Sequence, residues 1–407
     1  MPQLPPPDPD VPALRVLLGD EARDVLSAAL SDAGLSVDEV AVSQVRYSPG
    51  RSVTAQYRTQ LTDADGSTSR PMLVATSGLK VPEGPAIIAD SDMSVAVWRF
   101  PRDPFLPGLA PALNQTSALE LLGRLGAQTT SMKLRTRAYR ATRRAVVEAR
   151  GDSETIYMKV LRPSRVAGLQ HRHAALAPHL PIPHSLGWSQ ELGIVAMQAL
   201  GGRTLRQTIE AGALELPSPQ ALVGLLDQFP EPEPDAPAVK GAYQRAPEHA
   251  RLIGAVLPPA APELEAIVSA VTNASSSDPA VAVHGDFHSS QVLVDGGRIV
   301  GLVDVDTAGV GQRLDDLANL VGQLATLTLV SQQPAAIAAY IDELMAVFEQ
   351  LADPTTLRLR VAAVVLGLAT GPFRVQLPHW PEDTLRRLDL AQRWVAAAGQ
   401  KEIPTNP

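Results

Sequence analysis

Cysteine is absent from all 407 residues of this chain. Its absence excludes disulfide bonds, thiol nucleophiles and cysteine-based zinc sites together. An excess of positive charge is also missing, because the formal net charge is -8 and the isoelectric point is about 5.5. Proteins that bind nucleic acid through its phosphate charge need a basic face. The composition therefore argues against nucleic acid as a partner.

Long apolar runs are scarce as well. No run approaches the ~18 residues that a membrane span needs, and residues 1–12 are rich in proline and aspartate, without the apolar centre of a signal peptide. We therefore expect a soluble, cytoplasmic protein with no membrane partner. The length allows two or three domains at about 150 residues each. With 45% hydrophobic residues, the chain can bury a core of ordinary size.

The most informative segment runs from His284 to Gln291 and reads HGDFHSSQ, with VDVD following at 303–306. In protein kinases the catalytic loop H-R-D-x-x-x-x-N supplies an aspartate that accepts the proton of the attacking hydroxyl, and an amide five positions later that binds Mg²⁺. A later aspartate holds the metal against the nucleotide phosphates. Asp286, Gln291 and Asp304 fall in these three places.

These residue types suit phosphoryl transfer. The γ-phosphoryl group gathers negative charge in the transition state, so catalysis depends on alignment and on neutralisation by metal ions and cations. Mg²⁺ prefers oxygen ligands, which carboxylates and amides supply. Apolar runs predict a strand at 281–283 before the loop and a hairpin over 291–303 after it, turned by Asp-Gly-Gly. The hairpin would bring Asp304 back to the site, close to Asp286.

On this motif the chain resembles the aminoglycoside phosphotransferase and choline kinase superfamily of small-molecule kinases, whose signature is H-G-D-x-x-x-x-N followed by a metal-binding aspartate. Gly285 in place of arginine favours that branch over the protein kinases. Gln291 departs from the asparagine of most members, since it keeps the amide oxygen but adds a methylene. The variant H-G-D-F-H-x-x-Q is similar to that of actinobacterial maltokinases and glucosamine kinases, which implies a sugar or amino sugar acceptor.

The resemblance implies an α+β, protein-kinase-like bilobal fold, with a β-rich ATP lobe, a helical C-terminal lobe and an additional N-terminal cap. We expect the cap at 1–130, the ATP lobe and hinge at 131–201, and the catalytic and acceptor-binding lobe at 202–407. The resemblance also implies Mg²⁺ as cofactor and ATP as phosphoryl donor. The partner would be a small hydroxyl acceptor, a carbohydrate above others, and the protein would be a monomer or a homodimer.

Strand-like runs at 144–150 and 155–161 predict a hairpin with Lys159 among apolar neighbours. Kinases place the lysine that contacts the α and β phosphates at such a position. A strand lysine that points to solvent is the other interpretation, and the resemblance favours the first. After a strand at 193–197, the backbone at Gln198 and Leu200 is expected to form the hinge that binds the adenine edge.

The helix glutamate that usually orients this lysine has no counterpart, because residues 166–176 read VAGLQHRHAAL. Another carboxylate, or none, must orient Lys159. Three residues are expected to support the loop without reacting, namely His284, Asp306 and Asp316. In the family, the aspartate before Leu-Ala braces the catalytic loop, and at a helix N-terminus it also acts as a cap. Asp306 is either a support for the metal or a turn former.

The N-terminal region carries a possible repeat. A tyrosine is followed by arginine four and eleven positions later twice in the chain, at Tyr47, Arg51 and Arg58 and at Tyr139, Arg143 and Arg150. Each tyrosine begins a strand–turn–strand pattern, and the first copy has no lysine at the place of Lys159. We interpret the region before 130 as a degenerate duplicate of the ATP-lobe β-unit, kept as a cap. Coincidence is the alternative.

Acceptor recognition is expected from the C-terminal helices, where segments 371–376 and 380–383 interrupt predicted helices at 357–369 and 383–398. Their side chains, with His288 beside the base, offer the mixture that a sugar needs: Arg374, Gln376, Trp380 and Glu382. In the other interpretation Trp380 fills a gap between helices, Arg374 pairs with an acid and His288 bonds to backbone.

The sequence thus predicts a Mg-ATP-dependent kinase that transfers the γ-phosphoryl group to a hydroxyl of a sugar or amino sugar. One alternative is an aminoglycoside phosphotransferase, whose polycationic substrate would require a strongly acidic pocket. The segment 372–380 contains an arginine and no acid, which argues mildly against it. The other alternative is a nucleotide-binding pseudokinase, which Gln291 and the missing helix glutamate would allow. Retention of Asp286, Asp304 and Lys159 favours the enzyme.

Overall fold

The computed structural model describes residues 3–90, 92–152, 154–213, 215–272, 274 and 278–399. The cap opens with two helices and continues into an antiparallel sheet in the order β1-β2-β4-β6-β5, with β3 paired to the end of β2. Its elements are α1 (Ala13–Leu18), α2 (Ala22–Leu30), β1 (Ser36–Ser48), β2 (Ser52–Thr62), β3 (Thr68–Ser69), β4 (Met72–Ser77), β5 (Ala86–Ala89) and β6 (Ser94–Arg99). Strand β2 is buried along most of its length because it lies inside the sheet, under α1.

The β-rich lobe follows, and its antiparallel sheet has the order β10-β11-β9-β8-β7. Its elements are α3 (Leu109–Leu113), α4 (Gln115–Arg124), β7 (Lys133–Arg140), β8 (Arg144–Arg150), β9 (Thr155–Leu161), α5 (Pro163–Leu176), β10 (Ser185–Ser189) and β11 (Ile194–Gln198). The predicted hairpin at 144–161 is present, although Ser153 in its turn lies outside the described residues. Helix α3 packs on β7, β8 and β9, so this lobe's packing begins before the predicted boundary at 130.

The two sheets share one strand order. If the two-residue strand β3 is left out of the cap, then in each sheet the first strand pairs with the second, the second with the third, the third with the fifth and the fifth with the fourth. The units differ in one connection: α5 joins the third and fourth strands of the lobe, whereas residues 78–85 join those of the cap without a helix. This likeness supports the interpretation of the cap as a duplicate, which stays a proposal.

The same hydrogen-bond arrangement also occurs in both units. In the cap, Asp8 Oδ2 accepts from the hydroxyl of Tyr47 (2.6 Å) and from the backbone N–H of Gly50 (2.8 Å). Gly50 has a φ of 70°. The carboxylate therefore fixes the β1–β2 turn to the segment that leads into α1.

The β-rich lobe repeats this arrangement at matching positions. Asp103 Oδ2 accepts from the hydroxyl of Tyr139 (2.8 Å) and from the backbone N–H of Thr142 (2.7 Å). Thr142, like its counterpart three residues after the tyrosine, has a positive φ, of 66°. Each aspartate is followed by proline and then by a short helix. The same side-chain chemistry thus closes the first hairpin of both sheets.

The C-terminal lobe is mainly helical, with short strands that carry the catalytic loop. Its strands are β12 (Arg203–Thr204), β13 (Val281–Val283), β14 (Val292–Asp295), β15 (Arg298–Leu302) and β16 (Gly309–Gly311). Its helices are α6 (Leu205–Glu210), α7 (Pro219–Leu226), α8 (Ala242–Val256), α9 (Ala261–Val271), α10 (Arg313–Thr328), α11 (Pro334–Leu351), α12 (Pro354–Leu368), α13 (Gly371–Arg374) and α14 (Trp380–Ala398). The predicted α+β bilobal fold is confirmed.

Hydrophobic packing joins the cap to both lobes. The helices and inner sheet face of the cap belong to the same core as α10, α12 and α14, and Trp380 Nε1 donates to the carbonyl oxygen of Gln3 (3.0 Å). The opposite face of its sheet packs on the β-rich lobe, where Trp98 Nε1 lies 3.4 Å from the hydroxyl of Tyr139. Contact with both lobes fixes the cap across the cleft between them.

One helical segment, Pro354–Arg374, is long and apolar enough to cross a membrane. The expectation that no segment approaches such a length was therefore wrong. In this fold 67% of the segment is buried. It also carries two buried arginines that form ion pairs, Arg358 with Glu349 and Arg360 with Asp315. The segment accordingly serves as a central helix of the C-terminal lobe.

Candidate active site

The catalytic loop begins where β13 ends, and His284 fixes its first turn. The imidazole is buried; its Nδ1 accepts from the backbone N–H of Asp286 (3.2 Å), and its Nε2 lies 3.0 Å from the carbonyl oxygen of Val303. Because Nδ1 accepts, the ring proton is on Nε2, which donates to Val303. The ring thus holds the loop against the end of β15, directly before Asp304.

Asp316, in the first turn of α10, holds the same loop from the other side. Its two carboxylate oxygens accept from the backbone N–H groups of His284 (2.7 Å) and Gly285 (2.9 Å). Burial raises the pKa of Asp316. Gly285 has a φ of 78°, and a Cβ there would lie 2.7 Å from the carbonyl oxygen of Thr307. Glycine alone fits this turn, because it has no Cβ and adopts positive φ freely.

The carboxylate of Asp286 opens toward the cleft, with 42% of its side chain exposed. Asn319 Nδ2 lies 3.4 Å from Asp286 Oδ1 and donates to the carbonyl oxygen of Phe287 (3.0 Å). His288 Nε2 lies 3.9 Å from Asp286 Oδ1. Burial lowers the pKa of His288, while the Asp286 carboxylate opposes that shift. The aspartate is therefore oriented by its neighbours and still accessible to a substrate.

Lys159 crosses from β9 into the cleft and meets two carboxylates of the C-terminal lobe. Its Nζ donates to Asp304 Oδ1 (2.8 Å) and also to Asp306 Oδ1. Burial alone would lower the pKa of Lys159, but the two carboxylates raise it. The interpretation in which this lysine points to solvent is thus wrong. With no acid in α5, the carboxylates that contact Lys159 come from the segment after β15.

Arg144 adds a second cation to this cluster. Its guanidinium lies 3.6 Å from Asp304 Oδ2 and 3.5 Å from Asp306 Oδ2. Burial would raise the pKa of Asp304, but Lys159 and Arg144 hold it well below its usual range. Asp304 has a φ of 64°, in the left-handed region. Such strained backbone is costly for a residue with a side chain, and it turns the carboxylate into the cleft.

Gln291 lies beside Asp304, as a shared metal site requires. Its Nε2 is 3.4 Å from Asp304 Oδ2, and a half-turn about the Cγ–Cδ bond would present the amide oxygen instead. Among the described residues no group of three or more histidine, aspartate or glutamate side chains could hold a metal ion. Mg²⁺ commonly takes only one or two protein ligands and completes its shell with water and phosphate. One carboxylate and one amide fit that ion.

The hinge joins β11 to β12 through residues 199–202. The backbone N–H of Gln198 donates to the carbonyl oxygen of His184 (2.9 Å), and the backbone N–H of Ala199 donates to the carbonyl oxygen of Thr155 (2.9 Å). Within the described residues, the N–H of Leu200 makes no hydrogen bond. Of these three donors, Leu200 is therefore the one that an adenine ring could engage.

The predicted acceptor residues do not form one group. Trp380 is fully buried against Phe373 and begins α14, so the predicted interruption at 380–383 and its role for a sugar ring were wrong. Glu382 is exposed in the same helical turn. Gln376 donates to the carbonyl oxygen of Phe373 (2.6 Å) and lines a cavity between the cap and this lobe. Arg374, by contrast, faces a cavity with other arginines.

Two residues of the site were not predicted from the sequence. Arg144 lies on the same sheet face as Lys159, because its strand neighbour Val146 pairs with that lysine. Asn319 follows Asp316 by one helical turn, so both face the catalytic loop. Strand register and helical periodicity are the patterns that would have indicated them.

Two of three comparisons relate this chain to known proteins. A family model described as the phosphotransferase enzyme family matches residues 44–352, more than half of the chain. A comparison with curated proteins gave no significant match. The solved structures include a thermostable mutant of the aminoglycoside phosphotransferase APH(4)-Ia, with 15% identity and a TM-score of 0.52, covering 71% of this chain and 100% of its own.

Two other solved structures are similar at lower scores. A mutant of the same phosphotransferase, in a ternary complex with ADP and hygromycin B, has 15% identity, a TM-score of 0.48, and coverage of 71% of this chain and 99% of its own. A choline/ethanolamine kinase family protein from Mesorhizobium loti has 16% identity, a TM-score of 0.47, and coverage of 69% and 98%. By the family match, this chain belongs to the phosphotransferase enzyme family and is a phosphotransferase that acts on hydroxyl acceptors.

Proposed function

We propose that the protein is a Mg-ATP-dependent kinase that phosphorylates a hydroxyl group of a small molecule, with a sugar or amino sugar as acceptor. The observation that carries the proposal is the meeting of Lys159 from one lobe with Asp304 from the other, beside an accessible Asp286. An ATP-dependent activity and the lack of cysteine suit a cytoplasmic protein. Neither nucleic acid nor a membrane is needed as a partner.

In this mechanism Asp286 orients the acceptor hydroxyl and accepts its proton as the new oxygen–phosphorus bond forms, while the bond from the γ-phosphorus to the bridging oxygen breaks and ADP leaves. Asn319 limits the rotation of Asp286, so little alignment is lost before reaction. Bound Mg²⁺ supplies neutralisation of the nucleotide phosphates, and Gln291 and Asp304 are the residues that would hold it. The hinge backbone at Gln198 and Leu200 is proposed to position the adenine, with the N–H of Leu200 as the donor, because that of Gln198 is bonded to His184.

Lys159 is proposed to bind the α and β phosphates while Asp306 keeps it in place. Asp306 contacts the lysine without being required as a metal ligand, so it can take over the task of the missing helix glutamate. Arg144, which contacts both aspartates, would add positive charge over the phosphates. His284 and Asp316 hold the loop that carries the base. His288, next to Asp286, is the predicted residue nearest to the acceptor hydroxyl.

An ADP-release screen tests the proposal, with Mg²⁺, ATP or GTP, and sugars, amino sugars, aminoglycosides and amino alcohols as acceptors. We expect acceptor-dependent release that Asp286→Asn removes. Release that persists at the wild-type rate in Asp286→Asn would contradict the proposed base. Aminoglycoside-only turnover would support the alternative substrate class, and nucleotide binding without turnover on any acceptor would support the pseudokinase.

A further inference from the structure

A cavity of about 190 Å³ lies where the cap, the β7–β8 turn and α13 meet. All of its charged lining residues are arginines: Arg46 from the cap, Arg140 at the end of β7, Arg143 from the following turn and Arg374 from α13. The polar remainder comes from the cap strands, namely Gln44, Thr54 and Gln56. The cavity thus combines concentrated positive charge with groups that can bind hydroxyls.

Within the described residues, none of these four arginines forms an ion pair. The next residue in the chain, Arg144, differs in this respect, because it pairs with Asp304 and Asp306. Like charges held together repel one another, and this lowers the stability of the fold unless an anion joins them. Partial burial and neighbouring arginines lower the pKa of Arg46 and that of Arg143. Arg46 is half-buried and the other three arginines are exposed, so an anion from solvent can reach all four.

The cavity lies beside the active site, because Arg140 pairs in the sheet with Arg144, whose guanidinium contacts Asp304. Burial and neighbouring arginines lower the pKa of Arg140, and the Asp286 carboxylate opposes that shift. Arg144 points instead to the cluster around Lys159, on the nucleotide side. Since Arg46 and Arg374 belong to elements outside the proposed nucleotide site, the cavity is placed to hold the acceptor.

We propose that this four-arginine cavity binds a phosphate or carboxylate group of the acceptor, so that the substrate is an anionic sugar or similar polyol. Guanidinium groups bind such oxyanions through paired hydrogen bonds. The inference rests on the proposed function and narrows it, because an amino sugar or an aminoglycoside would bring positive charge to the arginines. It also assigns a function to the cap, which contributes Arg46 to the acceptor site.

Titration calorimetry tests the inference on the full-length protein saturated with Mg²⁺ and a non-hydrolysable ATP analogue. The probes are glucose 6-phosphate, glucuronate and glucose, which differ in the anionic group and share the ring. We expect at least one anionic probe to bind and glucose to bind at least tenfold more weakly. Binding of the phosphate alone, or of the carboxylate alone, identifies the group that the cavity selects.

Two variants, Arg46→Gln and Arg374→Gln, should each lower the affinity for the anionic probe at least tenfold. Their affinity for the ATP analogue should stay within about twofold of the wild type. The matched control is Arg51→Gln, an exposed arginine in the turn of the same cap hairpin. It should leave both affinities unchanged. Thermal unfolding of each variant separates local loss of binding from loss of fold.

Three results would overturn the inference. One is equal affinity for glucose and for both anionic probes, or no binding of any of them. Another is an anionic probe that Arg46→Gln and Arg374→Gln bind as well as the wild type does. The third is a large loss of ATP-analogue affinity in these variants, which would mean that the arginines serve the nucleotide.

Failure here is distinguishable from failure of the proposed function. Slow hydrolysis of ATP, in which water takes the γ-phosphoryl group and ADP leaves, requires the nucleotide site and Asp286 but no acceptor molecule. Asp286-dependent release without binding of the anionic probes would reject the anion site and retain the kinase. Nucleotide binding without ADP release, either to water or on any acceptor of the screen, would reject the kinase, while the calorimetric result would still decide the anion site.

Discussion

At the scale of single residues, the site shows how a missing group is replaced. Helix α5 has no acid in its sequence, yet Lys159 is not left without carboxylates, because Asp304 and Asp306 both reach it. The sequence indicated Asp304 through its distance from the catalytic loop. It could not decide whether Asp306 supports the metal or forms a turn, since the choice depends on where the side chain points after the turn.

Replacement of Asp286 by asparagine preserves the shape of the side chain and removes the proton acceptor. We expect turnover to fall by at least about a hundredfold, the lower range for general-base catalysis, while affinity for ATP stays close to that of the wild type. Steady-state kinetics and nucleotide titration measure the two effects separately. Turnover comparable to the wild type would exclude Asp286 as the base.

Replacement of Asp304 by alanine removes the anionic ligand of the proposed metal site. We expect Mg-dependent nucleotide binding to be lost in calorimetry. Gln291→Asn, which keeps the amide and shortens the side chain, should retain substantial activity. Since alanine also frees Lys159 from one partner, nucleotide binding without Mg²⁺ serves as the control. Wild-type affinity for Mg-ATP in Asp304→Ala would contradict this metal site.

At the scale of elements, the strands around the catalytic loop were predictable because turn residues and apolar runs bound them closely. The predicted strands at 144–150 and 155–161 match β8 and β9. The start of α14 was not predictable in the same way. Trp380-Pro381 resembles a break in a helix, but proline is tolerated in the first helical turn, and packing of Trp380 in the core begins the helix there.

The turn at Gly285 offers a test of the catalytic loop as an element. Gly285→Ala would place a Cβ 2.7 Å from the Thr307 carbonyl oxygen at a φ of 78°. We expect a loss of roughly 3 kcal/mol in the free energy of unfolding, from strained backbone and contact together. The control is Gly296→Ala, which has a φ of 51° and open space around it; it should lose only about 1 kcal/mol.

Denaturant unfolding of both glycine variants measures this difference. Equal stability of Gly285→Ala and Gly296→Ala would show that the loop relaxes around the added methyl group. Activity gives a second readout, because a displaced loop moves Asp286 away from the acceptor. The Gly296 turn lies at the far end of the β14–β15 hairpin, so its variant should keep full activity.

The hydrogen bonds of Asp8 give the cap hairpin a pH dependence. Burial would raise the pKa of Asp8, but hydrogen bonds from Tyr47 and Gly50 lower it below its ordinary value of 3.8. A carboxylate with a lowered pKa in the folded state stabilises the fold above the ordinary value and loses that contribution as the pH falls below it. We expect Asp8→Asn to be less stable by about 1 kcal/mol at pH 7.

The difference between Asp8→Asn and the wild type should shrink as the pH falls below about 4, the ordinary range of this side chain. Thermal unfolding between neutral and acidic pH measures it. A difference in stability that is constant across this range would show that the ionised carboxylate of Asp8 does not support the hairpin. Asp10→Asn, an exposed neighbour, is the control for a general change of charge.

At the scale of the whole molecule, the cap is inseparable from the two lobes, because its sheet packs on one and its helices share the core of the other. The sequence indicated a copied β-unit from the spacing of tyrosine and arginine. It gave no sign of where that unit would pack, since interfaces between units depend on surface shape. The four-arginine cavity is formed by this packing, so it could not be predicted from the sequence either.

The chain should bind one nucleotide, although it has two sheets of the same order. Strand register places Thr76 of the cap where Lys159 stands in the lobe: each is paired with the residue seven positions after the tyrosine, Thr54 or Val146. Thr76 is buried and its hydroxyl lies 2.7 Å from that of Thr54. The cap therefore has no positively charged side chain at the position that Lys159 occupies in the lobe. Calorimetry with an ATP analogue should give a stoichiometry of one, and a value of two would mean that the cap is functional.

Because the two units share a strand order and a hairpin contact, comparing them separates what the sheet architecture requires from what the reaction requires. Both units keep the aspartate that closes the hairpin, through Tyr47 in one and Tyr139 in the other. Only one keeps a lysine and an intervening helix. A second active centre in the cap would therefore require at least two changes to the existing sheet. They are Thr76→Lys and a catalytic loop that faces this lysine.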